Sequence, residues 1–364
     1  MKLVTLSRPI VQSFVIAIAL VGRSASAAPK LSVVPVPAGG KPMAAKIDAA
    51  GTIHLVFDSA DGPQYSKSTD DGKNLSQPIP MVDAASRKPG LEFITWDVVV
   101  SQNGAVHAVL GTNAWKLKLP EDEWGFMYTR LLPGEQMFAP VRNINHKPSE
   151  GFSLAVDERG TVTAVWMADK LFANVSHDGG ATFEPAVEID SALNPCNCCT
   201  TSSVYGKDGR LAILYREEAN NERDIYLALW DQSQNKVTKT RVSTTPWKID
   251  ACPMTYYSVA RSGDGYVAAW PTKGTIFFAR LSAEGIPLAP KEIKTSGANG
   301  MRTGLIALPA ADGNTLVAWK KEGQLGWQLY DARGRPAGSP GSARSAGSGV
   351  AGVVARNGDI LLFR

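Results

Sequence analysis

An all-β fold, built from one four-stranded antiparallel unit repeated around an axis, is what this 364-residue sequence predicts. Three observations carry the prediction. First, a short apolar run, a polar tight turn with glycine and a second apolar run recur at roughly 45–56-residue spacing, the range of propeller blades. The second runs open at Gly51, Gly104, Gly160, Gly209, Gly265, Gly313 and Gly358. They are rich in β-branched and aromatic residues and bounded by turn signals, as strands are. Second, nothing beyond the N-terminal segment shows a convincing helical period. Third, the last unit, Val350 to Phe363, stops after two strands, while Leu31 to Pro37 offers a spare strand at the other end. Both termini are therefore expected to share one blade of a β-propeller with six or seven blades, seven being the number counted.

Each unit continues beyond its second run. Third strands read Gln64-Tyr65-Ser66, Gly125 to Thr129 and Ile225 to Trp230; fourth strands follow a turn, as at Phe138 to Val141 and Phe183 to Ile189. Repetition around an axis leaves only short, protected edges. His54 and His107 hold the same place in successive second strands, which points to packing within the repeat. Trp166, Trp270 and Trp319 end second strands and read as packing between blades.

The third-to-fourth turn of one unit is Ser176-His177-Asp178-Gly179-Gly180-Ala181-Thr182-Phe183. Its aspartate can accept hydrogen bonds from nearby backbone N–H groups, its glycines can take positive φ, and its hydroxyls can close the loop. A weaker copy, Ser68-Thr69-Asp70-Asp71-Gly72-Lys73-Asn74-Leu75, holds the equivalent place in the first unit. The pattern resembles the Asp-box of the sialidase-type (BNR-repeat) β-propellers. The box residues (Ser176, Asp178, Gly180, Thr182 and Phe183, with Ser68, Asp70 and Gly72) are expected to be structural.

Residues 1–27 read as a signal peptide, with 28–364 as a single propeller domain. Lys2 and Arg8 give a positive start, Ile10 to Val21 an apolar stretch, and Ala25-Ser26-Ala27 a small-residue cleavage site. The apolar stretch is short for a membrane span and no later segment is long enough. The expectation is export to a periplasm or beyond. With 38 Lys+Arg against 34 Asp+Glu, and no basic run or basic–aromatic stripe, nucleic-acid binding is not indicated.

The resemblance implies that ligands meet the face opposite the Asp-boxes, around the mouth of the central channel. The sequence places an unusual set there. Asn194-Pro195-Cys196-Asn197-Cys198-Cys199 enters the fourth unit, and Ala251-Cys252-Pro253-Met254 enters the fifth; these contain all four cysteines. An even count in an exported chain favours two disulfides stapling the two units, and one bond across the loops plus one within the Cys196–Cys199 segment would use all four. A soft-metal site, copper-like, made from Cys196, Cys198, Cys199, Cys252 and Met254 is the alternative. Redox chemistry is a third reading. Arg216, Arg223, Asp224, Arg302, Tyr257, Trp115 and Trp124 are candidate ligand contacts, since Arg clamps carboxylates and Trp stacks on sugars.

The function expected from the resemblance is binding, or exo-sialidase-like hydrolysis, of an anionic glycan. The family's early Arg-Ile-Pro motif is absent from the mature chain, so hydrolysis lacks its first arginine. The alternative is a non-catalytic propeller whose cysteine-bearing face takes a metal or a protein partner.

Overall fold

The computed structural model describes Met1 and residues 29–364; apart from Met1, the signal-peptide reading falls outside them. Among the described residues, six four-stranded antiparallel sheets and one three-stranded sheet follow one another along the chain. Their innermost strands are Lys41–Ile47, Phe93–Val100, Glu150–Val156, Ser202–Tyr205, Ser258–Ser262, Leu305–Pro309 and Ala351–Val354. Each packs beside the next, and the ring closes where Ala351–Val354 meets Lys41–Ile47. The fold is a seven-bladed β-propeller, so the higher of the two expected blade numbers holds.

Blade stacking explains the sequence pattern. The second strand of a blade is covered on both faces by its neighbours, so it reads apolar throughout rather than alternating. Val162–Ala168 and Leu211–Arg216 illustrate this. The apolar side chains gather into seven clusters, each lying between two adjacent blades. Trp166, Trp270 and Trp319 sit in three of them. Fourth strands are short or polar, such as the two-residue Ile79–Pro80 and Val187–Glu188, which blunts the outer edges. Innermost strands of different blades share no sheet, so side chains bridge them. Asp97 Oδ2 accepts from Leu154 N–H (2.8 Å), and Ser202 Oγ and Ser258 Oγ accept from Val259 and Ala307 N–H (3.0 Å each).

The closing blade departs from the antiparallel pattern. Leu31–Val34 pairs with Ile360–Phe363, as the shared-terminus reading expects, but runs parallel to it, and the blade has three strands. A strand that feeds the innermost strand of the next blade must end on the face where innermost strands begin. In a complete blade the fourth strand has that direction. Here it docks directly on the second strand, and the pairing is parallel.

Both Asp-boxes lie at third-to-fourth turns, after Lys170–Ser176 and Gly62–Ser68. In the first, Gly180 N–H donates to Ser176 Oγ (2.8 Å), while Thr182 N–H (2.9 Å) and Oγ1–H (2.6 Å) donate to Asp178. Those bonds hold the Asp178 carboxyl below the ordinary carboxylate range, the Thr182 hydroxyl contributing most. In the second, Asn74 N–H and side-chain amide bind Asp70, lowering its pKa to about 2. Each box also docks on the preceding blade. A Cβ on Gly180 (φ 78°) would lie 1.8 Å from Tyr128 Oη, and one on Gly72 (φ 79°) would lie 2.6 Å from Leu361. The equivalent histidines bond equivalent tyrosines, His54 to Tyr65 (2.8 Å) and His107 to Tyr128 (2.7 Å), matching their role in packing.

Candidate functional site

A channel of about 780 Å³ runs along the propeller axis, walled by the innermost strands of all seven blades. Its lining mixes hydroxyls (Thr95, Thr200, Ser202, Ser258, Ser348) with Lys46 and Asp97. Aromatic rings stand where the innermost strands begin. The register of Phe93–Val100 shifts between Thr95 and Asp97, a bulge that frees Trp96 from the ladder. Its ring packs edge-on against Phe152 (5.4 Å) and tilts over Tyr256 (6.2 Å), so two rings form one wall of the mouth.

Charge stands beside that wall. Arg302 is exposed and adopts φ 54°, and its N–H donates to the carbonyl of Met254 (2.8 Å), itself at φ 47°. Burial pushes the Tyr256 phenol up, and the Arg302 charge opposes it. Glu150, at the start of the third innermost strand, is raised by burial, with Arg302 pulling the other way.

The cysteines occupy the adjoining sector, between blades four and five. Cys198 and Cys252 form a disulfide across the two entry loops, Cα atoms 6.0 Å apart. Cys196 and Cys199 are thiols, both buried. The two-bridge expectation is thus met across the loops but not within them. Cys196 and Cys199 end one tight turn, closed by Cys199 N–H to Cys196 O (3.0 Å), and each sulfur is engaged by a neighbour from another loop. Arg223 Nη1 donates to Cys196 Sγ (2.9 Å), and Thr255 Oγ1 lies 3.6 Å from Cys199 Sγ. The sulfurs of Cys196, Cys198 and Cys199 lie within 4.8 Å of one another.

The two thiols lie close enough to act on each other. Burial alone raises the Cys199 thiol; the hydrogen bond with Cys196, the Arg216 guanidinium and the Thr255 backbone more than reverse this and leave it well below the ordinary range. Cys196, hydrogen-bonded to Cys199, is pushed up in turn.

Arg216 and Arg223 therefore do not point at the channel mouth. Arg216 is 1 % exposed. Its guanidinium donates to Tyr257 Oη (3.1 Å), Pro271 O (2.7 Å) and Arg223 O, and stacks on Trp247 (4.7 Å). Arg223 divides itself between Ile249 O (3.2 Å) and Cys196. Asp224 is buried and paired with Arg241 (2.8 Å), and Tyr257 is buried against Arg216. Of the candidate arginines, only Arg302 is exposed beside the mouth. Trp115 is 60 % exposed on its long loop, whereas the Trp124 indole N–H braces that loop through Leu119 O (3.0 Å). Glu150 and the channel hydroxyls carry no sequence signal beyond their place at the start of innermost strands.

Fold and site together define a seven-bladed propeller with an open mouth walled by aromatic rings. No family model matches the sequence, and no curated protein matches it. Among solved structures, an α-L-arabinanase from Penicillium chrysogenum complexed with arabinobiose aligns at 12 % identity and a TM-score of 0.53, over 84 % of this chain and 98 % of that one. The Aleuria aurantia lectin, in complex with a fucosyl-GlcNAc disaccharide, aligns at 14 % and 0.51, over 85 % and 96 %. The NanB sialidase from Streptococcus pneumoniae aligns at 15 % and 0.41, over 88 % and 64 %. At these identities the likeness to the arabinanase and the lectin is one of fold.

Proposed function

We propose that this chain is an exported, glycan-binding propeller that holds an acidic sugar at the channel mouth. The observation that carries the reading is the Trp96–Tyr256 wall above a hydroxyl-lined channel, with exposed Arg302 beside it. Flat rings suit the apolar face of a pyranose, hydroxyls suit its edge, and a free guanidinium suits a carboxylate or sulfate. The arabinanase and lectin likeness supports a carbohydrate ligand by analogy of fold. Exo-sialidase hydrolysis is not part of the proposal. It calls for three arginines on one carboxylate, and Arg216 and Arg223 are committed to protein partners.

Glycan-array screening of the mature chain tests this. Acidic oligosaccharides should bind, Trp96→Ala and Arg302→Ala should abolish the signal, and a fluorogenic sialoside should not turn over. Silence across the array would sink the reading.

One observation favours a second reading that coexists with the first. Two buried thiols, Cys196 and Cys199, with their sulfurs within 4.8 Å of each other, suit a soft cation such as copper(I) rather than a hard one.

A further inference from the structure

Among the described residues, Arg216 is a buried cation without a carboxylate partner. All its hydrogen bonds run to neutral oxygens: Tyr257 Oη, Thr255 Oγ1, Pro271 O and Arg223 O. Of the acidic side chains of the neighbouring loop, Asp224 pairs with Arg241 (2.8 Å), Glu217 with Lys239 (2.7 Å), Glu218 accepts from Asn221 N–H (3.0 Å), and Glu222 is exposed. A guanidinium held this far from water without a counter-charge is costly, so an anion belongs beside it. Arg223 adds a second positive charge, aimed at Cys196 Sγ (2.9 Å). The groups that can supply negative charge here are the sulfurs of Cys196 and Cys199.

We infer that Cys196 and Cys199 together form a two-thiolate site for a soft monovalent cation, copper(I), with Arg216 and Arg223 as its counter-charges. The inference rests on the soft-metal reading and names its ligands and its ion. The two residues end one turn, and their sulfurs lie within 4.8 Å of each other. A cation midway between two thiolates, at a metal–sulfur distance of about 2.3 Å, needs its ligands up to about 4.6 Å apart. The donor set contains sulfur alone, which selects a soft ion.

Coordination number and charge both favour the monovalent ion. Cys198 Sγ, 3.5 Å from Cys196 Sγ, is bonded to Cys252, and a neutral disulfide sulfur is a poor ligand. Two ligands remain. Zinc asks for four, whereas copper(I) is content with two. Two thiolates and one copper(I) leave a net charge of −1 between the two guanidiniums, so the bound form stays anionic where an anion is needed. Zinc in the same place would cancel the thiolates and leave both arginines uncompensated. Loading replaces S–H bonds with S–Cu bonds and releases the thiol protons; no electron is transferred.

The test is an anaerobic titration of the mature chain, its Cys198–Cys252 bridge intact, with copper(I) buffered by a chromophoric chelator and with zinc(II) as the control. One equivalent of copper(I) should bind and should protect Cys196 and Cys199 from alkylation; zinc(II) should do neither. Cys196→Ser and Cys199→Ser should each weaken binding about 100-fold or more, and Arg223→Gln about tenfold, with Arg223→Lys recovering part of the loss. Met254→Leu, which removes the neighbouring thioether and leaves the bridge in place, should retain the ion. Copper(I) held undiminished by the Cys196→Ser/Cys199→Ser double variant would overturn the ligand assignment while leaving a soft-metal site elsewhere on the face. Failure of the wild-type chain to bind copper(I), or a native Cys196–Cys199 disulfide found by mass spectrometry, would overturn the inference. The alkylation readout on wild-type protein does not depend on any variant folding.

Discussion

The Asp-box turns and the cysteine-bearing entry loops occupy opposite faces of the propeller, and both are dense in polar groups. They differ in where those groups find partners. Asp178 is satisfied by Ser176 and Thr182, and Asp70 by Ser68 and Asn74, all within four residues. At the mouth, Arg216 reaches Tyr257 and Pro271, 41 and 55 residues away, and Arg223 reaches Cys196, 27 residues away. The first kind of turn is a self-contained clip that fixes one corner of a blade. The second exists only once blades four and five are stacked. Local clips thus stabilise one face without committing it to a ligand, while the other spends long-range contacts on holding charge and sulfur near the channel.

The contrast can be broken at several points. The strongest perturbation should be Cys252→Ser. The bridge spans a sequence separation of 54, and opening a loop of that size costs about 4 kcal/mol in the chain-entropy model. Chemical unfolding should show the loss, and so should wild-type protein after thiol reduction. Arg216→Met comes next, since it leaves Pro271 O and Tyr257 Oη without their buried donor; a loss of about 3 kcal/mol is expected in thermal melts.

On the Asp-box face, Gly180→Ala should cost about 2 kcal/mol, through overpacking against Tyr128 and the positive φ. It should leave glycan and copper(I) binding unchanged. The smallest effect is acid sensitivity from the box carboxylates. Asp70 (about 2) and Asp178 have depressed pKa values when folded. Their contribution is complete above the unfolded value of about 4 and fades as pH falls through the folded values. Asp178→Ala should flatten the acid limb of stability against pH; an unchanged limb would show that the box carboxylate is incidental.

The same contrast explains what the sequence made legible. The Asp-boxes were readable because every partner lies inside an eight-residue window, and the blade count because second strands buried on both faces stay apolar. The sharing of one blade by both termini followed from the missing strands of the last unit. The parallel docking of Leu31–Val34 did not, since its direction is imposed by where the next blade must begin. Arg216 and Arg223 were placed on the correct face, but their burial depends on Trp247, Tyr257 and Pro271, which the chain brings together only after stacking. Glu92 to Asp97, Trp96 included, reads from the sequence as an entry segment on the mouth face, but the bulge that sets its ring over Tyr256 is announced by no spacing in Phe93–Val100. The pairing of Cys198 with Cys252, in preference to the other possibilities, likewise needs two loops in space.

The central claim is that the mouth, and not the Asp-box face, is where a carbohydrate binds. Calorimetric titration of an array-identified acidic oligosaccharide into wild-type, Trp96→Ala and Gly180→Ala protein tests it most directly. Binding should survive in Gly180→Ala and disappear in Trp96→Ala, with both variants folded by circular dichroism. Equal affinity in wild-type and Trp96→Ala protein would contradict the account.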